Sequence, residues 1–271
     1  MTLRDLMAPV IRGDLYHATR PRRPAAATDP SGVVRDMTSD AEAAAWAKRR
    51  ALPVSWIPEG ATVYDLGCGD GKLRLARPDL TVYGYDVDDG ALVIAEERGV
   101  KTIRDPNYDD ARKIDRETLD AFARGRASIG GDREWPPARF DVLFAMDVVE
   151  HMDDPKLDLA VALSAVAQGG LVVVECPDFW SPMAQLYGDR FRLLHDPDHV
   201  SLFTGESLVR MLRDLGVMIE DVAFPYYGGP YDTPENAARL HAVLDLDGEV
   251  CEAGLSPAAP GNMVCVRGRK R

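Results

Sequence analysis

The chain has 271 residues, 46% of them hydrophobic, and a formal net charge of −12. That length and apolar content suit one large domain with decorations and exclude global disorder. The acidity excludes a protein that grips nucleic acid through a general basic surface.

No apolar run approaches the roughly 20 residues of a membrane span. The start, "MTLRDLMAPVIRGD", has charges where a signal peptide has a continuous apolar stretch. A cytoplasmic protein with no membrane partner is the expectation. Cys68, Cys176, Cys251 and Cys265 form no C-x-x-C pair. Reduced, buried thiols are expected rather than a zinc knuckle or disulfides.

Residues 1–38 read as an irregular arm or lid, rich in Pro, Arg and Ala over "TRPRRPAAATDPSG". Ser39 and Glu42 have the spacing of a capping box. The helix "DAEAAAWAKRRAL" follows and should stop before Pro53. Residues 39–271 then alternate short apolar runs with helical patterns. "ATVYDL" is a strand, followed by a glycine loop and a short helix, "KLRLA", ended by Arg77-Pro78. "TVYGYD", "VKTIRD", "FDVLFAM" and "LVVVECPD" are further strands. "DDGALVIAEERG" and "PKLDLAVALSAVAQGG" are helices closed by glycine. "TGESLVRMLRDLG" is a helix capped by Thr204, and "VMIEDVAFPYY" and "NMVCVRGR" are two last strands. Insertions are expected near 106–139 and 228–261. Continuous apolar strands separated by helices predict an α/β fold. The sheet is doubly wound and mostly parallel, with helices on both faces.

The loop "VYDLGCGDGKL" carries the first chemical signal. A P-loop needs G-x-x-x-x-G-K-[ST]. Leu66 stands where its first Gly would be, and Leu73 where its hydroxyl would be. A dinucleotide loop needs G-x-G-x-x-G, but Lys72 takes the third glycine's place. What remains is D-x-G-x-G-x-G, made by Asp65, Gly67, Gly69 and Gly71 around Cys68. Asp86 ends the next strand, where a carboxylate can accept both hydroxyls of a ribose. N-capping of the following helix is the other use for it, which Asp88 or Asp89 could fill.

These residues, with "IRDPN" and "FDVLFAMDVVEHMDDP", resemble the S-adenosylmethionine (SAM) site of class I methyltransferases. The resemblance covers about residue 39 to the end. It implies a seven-stranded sheet whose last strand is antiparallel, and SAM as cofactor. It implies Asp86 and Val87 at the ribose and adenine, Asp105 near the adenine amino group, and Met146 and Asp147 beside the methionine part. Pro106 departs from the family's pattern.

A methyl acceptor with a hydroxyl needs a base near the transferring carbon. His199 is the preferred candidate and His151 the second. Phe179, Trp180, His195 and Tyr16 are candidates to line the acceptor pocket, with Tyr226 and Tyr227. On a helix Asp147, Glu150 and His151 would share one face. That is similar to the E-x-x-E-H metal motif of ubiquinone-pathway O-methyltransferases, with a shorter first acid, so no metal is assigned. "MDVVEH" replaces any N-P-P-Y-like segment, which leaves O- or N-methylation of a small molecule, a sugar or a secondary metabolite. A non-catalytic SAM-binding protein and a nicotinamide oxidoreductase are the alternatives. A homo-oligomer is compatible with the sequence.

Overall fold

The computed structural model describes residues 2–21, 39–103, 139–225 and 261–271. Its main sheet has seven strands. They are β2 (Thr62–Leu66), β3 (Thr81–Tyr85), β4 (Lys101–Thr102), β5 (Phe140–Met146), β6 (Val166–Pro177), β8 (Val217–Ala223) and β9 (Met263–Lys270). Their spatial order is β4-β3-β2-β5-β6-β9-β8. Pairs among β2 to β6 are parallel, while β9 runs antiparallel to both β6 and β8. The predicted doubly wound sheet with an antiparallel last strand is therefore present.

The central strands β2, β5 and β6 are largely apolar because both faces are covered. Val63, Val142, Phe144 and Val173 point into one core layer, under Trp46, Val54, Leu73 and Ala95. Those come from α2 (Asp40–Arg49), α3 (Ala51–Ser55), α4 (Lys72–Ala76) and α5 (Asp89–Glu97). Leu66, Leu143, Ala145, Val172 and Val174 point the other way. They meet α6 (Pro155–Ser164) and α8 (Gly205–Asp214). Thr204 caps α8 in a full box with Ser207.

Three local expectations are corrected. Ser39 accepts from the Glu42 N–H at 3.3 Å, but this is only half a box, because the Glu42 carboxylate binds Arg49 at 2.6 Å. The helix stops earlier than expected, at Arg49, and a second helix, α3, starts at once with Pro53 in its first turn, where a missing N–H costs nothing. Helix α6 ends at Ser164, and Val166 already pairs with Phe140, so "VAQGG" begins a strand.

The start of the chain is the largest difference. Residues expected to be irregular form α1 (Leu3–Ile11), opened by a Thr2–Asp5 capping box. Leu3, Met7 and Val10 bury against Phe179, Met183, Ala184 and Phe191. Beyond α1, β1 (Ala18–Thr19) pairs antiparallel with β7 (Ser201–Leu202). Pro9 inside the helix hid it, yet tertiary packing outweighs that single breaker. Residues 22–38, most of 106–139, and most of 228–261 lie outside the described residues, and Cys251 with them. The other three cysteines are buried and free.

Gly71 shows how tightly the glycine loop is packed. Its φ is +82°, and an added Cβ would lie 2.8 Å from Val100 Cγ2 and 3.2 Å from the Ala95 backbone. Gly71→Ala should lower stability by about 2 kcal/mol or more, from the left-handed backbone plus the clash. An unchanged urea midpoint would refute this account.

Candidate active site

The chain winds outward from β2 through β3 to β4, then crosses back to β5 and winds the other way. The reversal leaves a crevice at the carboxyl ends of β2 and β5, where ligands of open α/β sheets bind. The glycine loop leaves β2 there and folds over the end of β3. Gly67 and Cys68 both donate their N–H to the Tyr85 carbonyl, at 2.8 and 3.0 Å. A Cβ on Gly67 would strike Val148 at 2.6 Å, so the loop touches the segment after β5. Gly69 also has positive φ, but a Cβ there would meet nothing within 4 Å. Its face is open to a ligand.

Asp86 lies under this loop. Its Oδ2 accepts from the Gly69 N–H at 2.8 Å and its Oδ1 from the Asp88 N–H at 3.0 Å. Asp88 caps α5 through Gly90 and Ala91. Capping is therefore not the role of Asp86. Val87 beside it is 88% exposed, an apolar side chain on the open edge. Asp65 is the reverse case: it is buried, and burial, then the charge of Asp86, push its carboxyl up to about 8. Cys68 is buried in the loop, facing Gly84. Asp105 lies outside the described residues.

After β5 the backbone turns sharply. Met146 is buried in the core layer under α2 to α5. Asp147 has φ +51°, the only positive φ at a non-glycine among the described residues. Its carboxylate is ion-paired with Arg50, a buried guanidinium at the break between α2 and α3. Arg50 also lies 3.3 Å from the fully buried Glu175 of β6 and 5.5 Å from the Trp46 ring centroid. Two carboxylates thus share this buried cation. The sequence reading missed it, because it ran the helix through Arg50 and because the partners lie 97 and 125 positions away, so that only the folded sheet brings them near.

The pairing with Arg50 also takes Asp147 out of the E-x-x-E-H-like set. Residues 149–151 form a short 3₁₀ turn rather than an α-helix, so the three side chains do not share a helical face. The i, i+3, i+4 arrangement that the E-x-x-E-H likeness would need is therefore not formed. Glu150 and His151 instead join His199, with donor atoms within 4.8 Å of one another. Two hydrogen bonds to backbone carbonyls hold the two segments of this cluster together. The Val200 N–H donates to the Glu150 carbonyl at 2.8 Å, and Ser201 Oγ donates to the Met152 carbonyl at 2.7 Å.

The two imidazoles lie edge to face, with centroids 4.7 Å apart. His199 is 5% exposed and His151 half-buried. Each Nδ1 faces a carbonyl, Leu193 at 2.7 Å for His199 and Asp198 at 3.1 Å for His151. A carbonyl only accepts, so each Nδ1 carries the proton and each Nε2 keeps a lone pair. Burial pushes His199 down to about 4 against the pull of Asp196, so its ring is neutral at pH 7. Glu150 is fully buried, and burial, then the charge of Asp147, hold its carboxyl well above the usual range. Its Oε2 has no hydrogen-bond partner among the described residues.

The acceptor-side candidates separate. Phe179 is wholly interior, packed in the cluster with Met7, Met183 and Phe191. It still reaches the His199 ring, at 6.0 Å between centroids. Trp180 is half-buried at the edge of that cluster. His195 is exposed, its Nε2 2.9 Å from the Asp189 carbonyl. Tyr16 is pinned away from the crevice. Its hydroxyl donates to Asp214, and Lys156 and Arg210 lie over its ring. Tyr226 and Tyr227 lie outside the described residues.

A family model described as a methyltransferase domain matches residues 37–222. A protein of Thiobacillus denitrificans named ubiquinone biosynthesis O-methyltransferase is 27% identical over 196 residues, covering 69% of this chain and 76% of that protein. A protein of the same name from Pseudomonas putida is 30% identical over 210 residues, covering 72% and 82%. Among solved structures, a SAM-dependent methyltransferase from Archaeoglobus fulgidus aligns with a TM-score of 0.55 at 15% identity. It covers 84% of this chain and 94% of that one, a likeness of fold.

Proposed function

The chain belongs to the SAM-dependent methyltransferases of that domain family, and from this premise we propose that it methylates an oxygen of a small, acidic hydroxyl compound, a phenol or an enol. One observation carries the reading: the glycine loop, open to a ligand at Gly69, packs at Gly67 against the same post-β5 segment that presents Glu150 and His151. Asp86 takes the ribose hydroxyls, with Val87 against the adenine. Gly69, where the loop is open, lets the backbone approach the cofactor.

SAM supplies the methyl group on a cationic sulfur. The acceptor oxygen must then lie in line with that carbon and lose its proton. His151, the more accessible imidazole, presents Nε2 to the hydroxyl. His199 and Glu150 stand behind it. The O-methyltransferase names of the relatives favour oxygen over nitrogen. An imidazole is by nature a weak base, which favours a phenol or enol over the far less acidic hydroxyl of a sugar.

The first test is calorimetric titration with SAM, followed by labelled methyl transfer to a panel of phenols, sugars and amines. Binding with transfer to phenols supports the proposal. Binding without transfer to any acceptor would leave a SAM-binding protein, and tight NADH binding without SAM binding would replace the reading altogether. Asp86→Ala should weaken SAM binding by about 10- to 100-fold, the loss of hydrogen bonds to a charged group. Unchanged affinity would place the ribose elsewhere.

A further inference from the structure

We propose that Arg20 is a positioning residue for the His151–His199 pair, an inference that rests on the function proposed above. Arg20 is buried at the end of β1, far in sequence from the histidines. Its guanidinium donates Nε–H to the His199 carbonyl, Nη1–H to the Leu194 carbonyl and Nη2–H to the Asp196 carbonyl. Its own N–H donates to the Val200 carbonyl at 3.0 Å. One side chain therefore fastens the whole 194–199 turn.

That turn holds both rings. Leu193, at its entrance, provides the carbonyl that receives His199 Nδ1–H, and Asp198, within it, provides the one for His151. The strand leaving it, β7, is held between β1 on one side and the Glu150–Met152 segment on the other. A planar fork with several fixed N–H donors suits three converging carbonyls, whereas a lysine ammonium is a point charge that cannot span them. Arg20 touches neither imidazole nitrogen. It fixes the carbonyls that fix each ring's tautomer, so that Nδ1 keeps the proton and Nε2 does not.

The full chain, labelled with ¹⁵N, tests this by long-range imidazole spectra of wild type, Arg20→Lys and Arg20→Ala. Wild type should show both rings as the Nδ1–H tautomer. Arg20→Ala should convert one or both to a tautomer mixture, leave SAM affinity unchanged, and recover the wild-type signals when free guanidinium ion is added. Its methyl-transfer rate should fall about 100-fold, the order expected for misplacing a reacting group by about 1 Å. A merely structural arginine would lower the melting temperature without altering the rings of the folded protein.

Wild-type rings in the other tautomer, or unchanged ring signals in Arg20→Ala, would overturn the proposal. If Arg20→Ala does not fold, Arg20→Lys decides, and unchanged rings there overturn it equally. The ring spectra need no acceptor. If wild type methylates none of the panel, the proposed function fails while the spectra still decide the role of Arg20.

Discussion

His151→Ala lowers methyl-transfer turnover by about 10²- to 10⁴-fold, the range for removing a positioned acid–base group, and leaves SAM affinity unchanged. The ring is half-buried at the crevice, and its Nδ1 is tied to Asp198. Loss of the base removes proton transfer and not cofactor contacts, so the effect should fall on kcat. A variant that keeps its rate, or one that loses SAM binding in proportion, defeats the assignment. His199→Ala should cost less, because that ring is buried behind His151 and acts by holding it. Dialysis against EDTA should leave the wild-type rate unchanged. If chelation abolishes the rate and a divalent cation restores it, Glu150, His151 and His199 are metal ligands instead of an acid–base cluster.

Asp65→Asn should stabilise the protein more at pH 8 than at pH 5. The Asp65 carboxyl is buried and pushed up to about 8, against about 3.9 in an unfolded chain. Between these values the unfolded chain gives up its proton and the folded chain keeps it. The folded state then binds more protons, so stability falls as pH rises through that window and levels off above about 8. Asparagine has no such titration, and its advantage should grow across the window to a few kcal/mol. Urea unfolding at both pH values measures it. A gap that does not widen with pH would show that Asp65 ionises freely in the fold.

A buried acid is rarely kept for stability, and Asp65 begins the glycine motif. Its neighbourhood suggests a role with a cationic ligand. The sulfonium and ammonium of SAM would favour the ionised acid, so cofactor binding should help to discharge its proton.

Much of the sheet was legible because its strands are covered on both sides. Runs such as "VLFAM" and "LVVVE" need no partner to be recognised as buried strands. The loop's place after β2 was equally legible, since Leu66 and Leu73 break the P-loop pattern and Lys72 departs from the dinucleotide one. Asp86 was legible from its place at the end of the next strand. What could not be read was whatever depends on residues distant in sequence. Arg50 meets Asp147 and Glu175 only when α2 docks on the sheet, and Arg20 meets its three carbonyls only when β1 pairs with β7. The convergence of Glu150, His151 and His199 has the same origin, since the Val200 N–H and the Ser201 hydroxyl must reach the Glu150 and Met152 carbonyls across separate segments. Helix α1 was hidden by Pro9, although Thr2 and Asp5 had the spacing to signal it.

The placement of β9 sets an order of events during synthesis. It lies between β6 and β8 and supplies every ladder hydrogen bond that attaches β8 to the sheet. Strand β8 and helix α8 are made before it, but the strand has no neighbour to join until residues 263–270 leave the ribosome. Until then β6 is an open edge, its largely apolar row exposed to other nascent chains. Completion of the sheet thus waits on β9, and chaperones that shield exposed strand edges would act on that interval.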